Sequence, residues 1–129
     1  MKKKNGFTLV ELLAVIVILA IILVIAVPQV LGSIETAREG VIISSVKMMA
    51  ATAETKYQEA LVNGDSFSGA QNCINWGGLN STDYESCSAT VTDGVATVTI
   101  KGKEGGKFSK WSTTGCSGTR VSVNCTANS

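Results

Sequence analysis

The chain of 129 residues contains no histidine, and only one proline and seven aromatic residues (two Trp, two Tyr and three Phe). Histidine is the commonest general base and the commonest metal ligand in proteins, so its absence removes the simplest routes to acid–base and metal catalysis. No nucleophile motif, Gly-rich phosphate loop or pair of carboxylates in a plausible cleft replaces it. We therefore expect no catalytic residue, no enzyme activity, no cofactor and no metal site.

Charged residues are also scarce, and the 11 Lys and Arg nearly balance the 10 Asp and Glu. Three of the basic residues are Lys2, Lys3 and Lys4, and without them eight remain against ten acidic ones. This balance does not indicate a nucleic-acid-binding surface. A later cluster of Lys101, Lys103, Lys107 and Lys110 is best interpreted as the solvated end of a hairpin, and DNA stays an alternative partner that the sequence disfavours.

One long stretch has no charge at all. Every residue from Leu12 to Val27 is apolar, and the run extends to Leu31 with only Pro28 and Gln29 interrupting it. About twenty apolar residues, at 1.5 Å rise each, match the roughly 30 Å hydrocarbon core of a bilayer. The sequence predicts a membrane-spanning helix, and the lysines before it place the N-terminus in the cytoplasm and the rest of the chain outside.

Glu11 stands at the head of this apolar run. An ionised carboxylate at the bilayer centre costs about 2.5 to 3.5 kcal/mol or more, and somewhat less near an interface, so it needs a partner. No Lys, Arg or His lies within the span. Cutting the chain between Gly6 and Phe7 would create an α-amino group, the only cation nearby.

The lysine-rich start, Gly6, Phe7-Thr8-Leu9-Val10-Glu11 and the apolar run together resemble the N-terminal signature of type IV prepilins and pseudopilins. The resemblance covers about residues 1–31. It implies that a membrane aspartyl peptidase, the prepilin peptidase, cuts after Gly6 and that Phe7 is then N-methylated. It also implies that Glu11 neutralises the new amine of a neighbouring subunit during assembly, and that Pro28 is the proline that kinks the helix.

Two other interpretations of the same segment stay open. It resembles a secretory signal peptide with cleavage after Val24-Ile25-Ala26, although a glutamate at the head of the apolar region is unusual there. It is also compatible with an uncut single-pass anchor. Either would make the rest of the chain a secreted or anchored domain unrelated to filaments.

From Gln29 to Val62 the apolar residues recur at spacings of three and four, which indicates an amphipathic helix. No turn signal separates this segment from the apolar run, so we expect one helix of roughly 55 residues, ended by a C-cap at Asn63-Gly64. Pro28 predicts a kink or a locally melted turn, acting either as a hinge or as a static bend.

Beyond the helix we expect a loop over 65–87 and then a sheet over 88–125. The dipeptide Asp93-Gly94, between two runs rich in β-branched residues, predicts a two-residue hairpin. Ala96, Val98 and Ile100 should share the face that lies on the helix. Further strands are predicted at Phe108–Thr113, with Trp111 in the core, and at Thr119–Asn124, with Val121 and Val123 pointing inward.

The four cysteines indicate two disulfides in an exported domain. Sequential pairing, Cys73 with Cys87 and Cys116 with Cys125, closes short loops, and the second pair resembles the C-terminal disulfide loop of many type IV pilins. If 119–124 is a strand after a tight turn, however, Cys116 and Cys125 lie at its opposite ends and Cys125 would pair with Cys87 instead. Both pairings remain open at this point.

The expected fold is α+β and pilin-like: a long N-terminal helix, half transmembrane and half amphipathic, packed on a three- to four-stranded antiparallel meander. The expected domains are a leader at 1–6, a transmembrane and filament-core half at 7–31, and a globular head at 32–129. The expected function is a structural subunit of a type IV pilus or similar filament, with a minor pilin or a pseudopilin of a secretion or DNA-uptake system as the alternative. Its partners would be further copies of itself, the prepilin peptidase, the assembly machinery and, before assembly, the cytoplasmic membrane; the final location would be the cell surface.

Overall fold

The computed structural model describes Gly6 and residues 8–128, and the chain divides into two compact units, Met1–Thr36 and Ala37–Ser129. One long helix contributes to both units, and all the strands lie in the second. The elements are α1 (Leu9–Asn63), β1 (Gln71–Asn72), β2 (Tyr84–Thr92), β3 (Val95–Gly102), a 3₁₀ turn (Ser109–Trp111), β4 (Gly115–Gly118) and β5 (Val123–Thr126).

Helix α1 has 55 residues, as the sequence predicts. It stays helical through Pro28, so no turn is melted there. At its end, Gly64 adopts φ +77°, and its N–H donates to Leu61 O (3.4 Å) while Asp65 N–H donates to Ala60 O (2.8 Å). These two hydrogen bonds form a Schellman motif, which confirms the predicted C-cap at Asn63-Gly64.

The sheet has five antiparallel strands in the order β1-β2-β3-β4-β5, so the predicted count of three to four was too low. The hairpin between β2 and β3 turns at Asp93 (φ 54°) and Gly94 (φ 80°), with Thr92 opposite Val95. Positive φ at both turn residues is the type I′ geometry that matches strand twist. The additional strand, β1, and the start of β2 both fall within the predicted loop 65–87.

The predicted strand at Phe108–Thr113 is wrong, because Ser109–Trp111 forms a 3₁₀ turn. Phe108 and Trp111 are both only 2% exposed. A strand directs residues three apart to opposite faces, whereas a 3₁₀ turn aligns them, so both rings reach the core only in the turn. Gly102 permits this arrangement, since a Cβ there would clash with the backbone carbonyl of Phe108.

The predicted strand at Thr119–Asn124 is displaced, because residues 119–122 form the turn between β4 and β5. Thr119 N–H donates to Ser122 O (2.8 Å), and Thr119 Oγ1 accepts from Val121 N–H (3.3 Å). Val121 therefore sits at the hairpin tip and is 77% exposed, so its predicted inward orientation is wrong. Val123 is half-buried and packs against the core.

The core of the second unit lies between one face of α1 and one face of the sheet. The predicted face of β3 is correct, since Ala96, Val98 and Ile100 are fully buried. Tyr84 stacks on Phe108 with ring centroids 4.9 Å apart. The helix buries a shorter stripe than the amphipathic segment predicted from Gln29 to Val62: its buried apolar residues are Ile42, Val46, Met49, Ala50 and Ala53.

Candidate functional site at the N-terminal segment

The segment before α1 carries the predicted cleavage point. Gly6 is exposed, lies outside the helix, and has open space where a Cβ would be. Phe7, the predicted site of cleavage and N-methylation, lies outside the described residues, as do Lys2, Lys3 and Lys4. Cleavage and methylation therefore remain predictions.

Thr8 caps the helix. Its Oγ1 accepts a hydrogen bond from the Glu11 N–H (3.1 Å), and its carbonyl accepts one from the Leu12 N–H (3.2 Å). A threonine three residues before a glutamate is the sequence signal of a capping box. This role of Thr8 was not predicted, although the spacing of Thr8 and Glu11 could have indicated it.

Glu11 occupies the first turn of α1. A carboxylate there interacts favourably with the positive end of the helix dipole, by about 0.3 to 1 kcal/mol at an exposed site. Its side chain is exposed and forms no ion pair with any residue that the structure describes. The geometry thus places an exposed carboxylate at the start of the helix.

The apolar surface of the first unit is uncovered. From Leu9 to Leu31 every large apolar side chain is 48% to 84% exposed. The helix is long and apolar enough to cross a membrane, and none of its most apolar window is buried within the protein. This surface must be covered by lipid or by another protein.

Comparison with known families gives one match, to residues 1–27, described as the prokaryotic N-terminal methylation motif. The chain carries a type IV prepilin-like signature. The matched segment includes Gly6, Phe7, Glu11 and most of the apolar run, while Pro28 follows directly after it. Comparisons with curated proteins and with solved structures found no significant match. For the head, the pilin-like assignment therefore rests on the architecture, a long N-terminal helix packed on an antiparallel sheet.

Both disulfides pair sequential cysteines. Cys73 bonds to Cys87 with Cα atoms 5.1 Å apart, and Cys116 bonds to Cys125 with Cα atoms 4.0 Å apart. Cys116 and Cys125 lie directly opposite each other in β4 and β5. The alternative of Cys87 with Cys125 is thereby ruled out in this structure, because the turn at 119–122 folds the chain back instead of extending it.

The four lysines near the β3 end do not form a free basic patch. Lys107 Nζ lies 3.5 Å from an Asp83 carboxylate oxygen, and Lys103 Nζ donates to the Ser81 carbonyl (3.4 Å). Lys101 is half-buried. Two of the four lysine side chains thus have polar partners within the protein, which agrees with the interpretation of the cluster as the solvated end of a hairpin.

Proposed function

We propose that the chain is a structural subunit of a type IV pilus or pilus-like filament, processed after Gly6 and polymerised through α1. The observation that carries the proposal is the prepilin-like signature over residues 1–27, together with the first part of α1, Leu9 to Leu31, whose large apolar side chains are all exposed. In this proposal residues 1–6 are the leader, 7–31 form the filament core, and 32–129 form the head. The role is structural and not enzymatic.

Before assembly, the apolar half of α1 lies in the cytoplasmic membrane as a single span. Moving it into a bundle of identical helices exchanges one apolar environment for another, so the hydrophobic effect contributes little to this transfer. Packing and polar contacts between the helices must therefore determine how they associate in the filament. Subunits released from the membrane would then form an extracellular filament at the cell surface.

Glu11 provides the polar contact. Cleavage after Gly6 would make Phe7 the N-terminal residue, and its α-amine would be a cation that can pair with Glu11, which forms no ion pair among the described residues. A pair between Glu11 of one subunit and the amine of another would offset the cost of holding the carboxylate in an apolar surrounding. Thr8 fixes the helix start and thereby the position of this carboxylate.

The test compares the variant Glu11→Ala with the control variant Glu104→Ala, since Glu104 is an exposed acidic residue of the head. Filaments sheared from the cell surface are quantified by electron microscopy and immunoblotting. Cleavage after Gly6 is monitored by mass spectrometry of the intact protein. We expect Glu11→Ala to be cleaved but to give few or no filaments, while Glu104→Ala assembles normally. Normal polymerisation of Glu11→Ala would remove the charge pair from the mechanism.

A further inference from the structure

A shallow cleft of about 340 Å³ opens at the C-terminal end of α1, within the second unit. Lys56, Glu59 and Asn63 of the helix form one side. Asp65 and Phe67 of the following loop form the other, and Trp76 adds a second ring. The volume is at the lower end of the range of small-molecule sites, which are about 300 to 1,000 Å³.

The two aromatic rings of the cleft are held in place. Phe67 meets Tyr57 edge-on, with ring centroids 5.9 Å apart. Trp76 packs against the core, and Lys56 Nζ lies 5.4 Å from its ring centroid. Both rings are nevertheless only half-buried, so they present apolar surface to the cleft. Because these side chains are already ordered, they lose little conformational entropy when a ligand binds against them.

Three polar side chains of the cleft are available to a ligand. Glu59, Asn63 and Asp65 are exposed, and their side chains make no hydrogen bond or ion pair with any described residue. Lys56 has no carboxylate partner there either, although two carboxylates line the same cleft.

This combination selects a chemical class of ligand. The carboxylates and the amide accept hydrogen bonds, Lys56 donates them, and the rings contact C–H groups. Two acidic residues against one lysine disfavour polyanions, and the described residues contain no group of three or more side chains suited to a metal ion. A sugar ring has both an apolar C–H face and a rim of hydroxyl groups. We propose that this cleft binds a neutral saccharide.

The proposal does not depend on filament assembly and is tested on the full chain in micelles of a detergent without a sugar headgroup. Saturation-transfer NMR is recorded with maltotriose, cellotriose and chitotriose as neutral probes, and with an anionic trigalacturonate and a cationic chitosan trimer for comparison. We expect transfer to at least one neutral trisaccharide, exceeding that to either charged probe.

Variants then locate the site. Glu59→Ala and Asp65→Ala remove exposed groups and should each weaken binding by about tenfold, as loss of a hydrogen bond to a charged group does. Phe67→Leu tests the aromatic contact and should also weaken binding. Glu85→Ala, an exposed acidic residue of β2 that does not line the cleft, is the matched control and should bind like the wild type. Absence of transfer to all three neutral probes, stronger binding of a charged probe, or unchanged binding by Glu59→Ala and Asp65→Ala would overturn the proposal.

Discussion

Replacing both Cys116 and Cys125 by alanine should destabilise the head by a predictable amount. The bond closes a loop with a sequence separation of 9. Loop-closure entropy for that length corresponds to about 2.6 kcal/mol at 25 °C. Cys116 is fully buried, and loss of its sulfur from the core adds about 1 kcal/mol. We expect the free energy of unfolding to fall by about 3 to 4 kcal/mol.

The assay is urea unfolding of the full chain in detergent, followed by the fluorescence of the buried Trp111. With a urea m-value of about 2 kcal/mol/M, the expected loss lowers the midpoint by about 1.5 to 2 M. Because small domains have about 5 to 15 kcal/mol of stability, the variant should remain folded without urea. The matched control replaces Thr90 and Thr97, an exposed pair opposite each other in β2 and β3, by alanine. It should lose less than about 1 kcal/mol per residue.

An unchanged midpoint in the Cys116 and Cys125 variant would refute the reasoning. So would a Cys87 to Cys125 fragment in peptide mapping of the non-reduced wild-type protein. That result would mean that β4 and β5 do not pair in the observed register.

Three further predictions concern the capping, packing and ion pairing of the chain. Thr8→Ala should destabilise the first turn of α1 by about 1 kcal/mol and speed amide hydrogen exchange there, because it removes the capping hydrogen bond. The control Thr52→Ala removes only a side-chain hydrogen bond to the Met48 carbonyl within the helix, and it should leave exchange in the first turn unchanged. Gly102→Ala should cost about 1 to 3 kcal/mol in urea unfolding, because its Cβ would clash with the Phe108 backbone; full stability would show that this close approach is absent. Arg120→Ala should cost at most about 1 kcal/mol, and less at high salt, because the Arg120 side chain is 62% exposed even though that of Glu54 is only 20% exposed; a salt-independent loss would contradict this.

The sequence predicts the parts of this protein that depend on regular patterns. The charge-free run and the apolar spacing of three and four residues were sufficient to predict a 55-residue helix. The dipeptide Asn63-Gly64 was sufficient to predict where that helix ends. Asp93-Gly94 determined the main hairpin, because few other dipeptides adopt two positive φ angles. Each of these signals is local and so requires no knowledge of the tertiary structure.

The errors arose where no periodic pattern marks the structure. The segment from Phe108 to Trp111 forms a turn because both rings are buried, and its residue pattern has no periodicity that would predict a turn. Thr119 creates the β4–β5 turn through its own hydroxyl, which displaced the last strand and left Val121 exposed. The two-residue strand β1 is too short to have a pattern of its own.

At the candidate site, the residue types and spacing around Gly6 and Glu11 indicated the signature that the family comparison finds over residues 1–27. The capping role of Thr8 required the hydrogen bond to be seen. The cleft beside Trp76 was not predictable from sequence, because it brings the end of α1 and the loop directly after it together with Trp76, which lies more than ten positions beyond the helix.

Intact-mass and N-terminal analysis of the protein taken from cell-surface material would show whether the chain is cleaved after Gly6. We expect a mature chain that begins at Phe7 with a methylated amine. A chain that begins at Val27 would instead indicate an ordinary secreted domain, and one that retains Met1 would indicate an uncut anchor or precursor. Either of these results would contradict processing after Gly6 and, with it, assembly through the Glu11 charge pair.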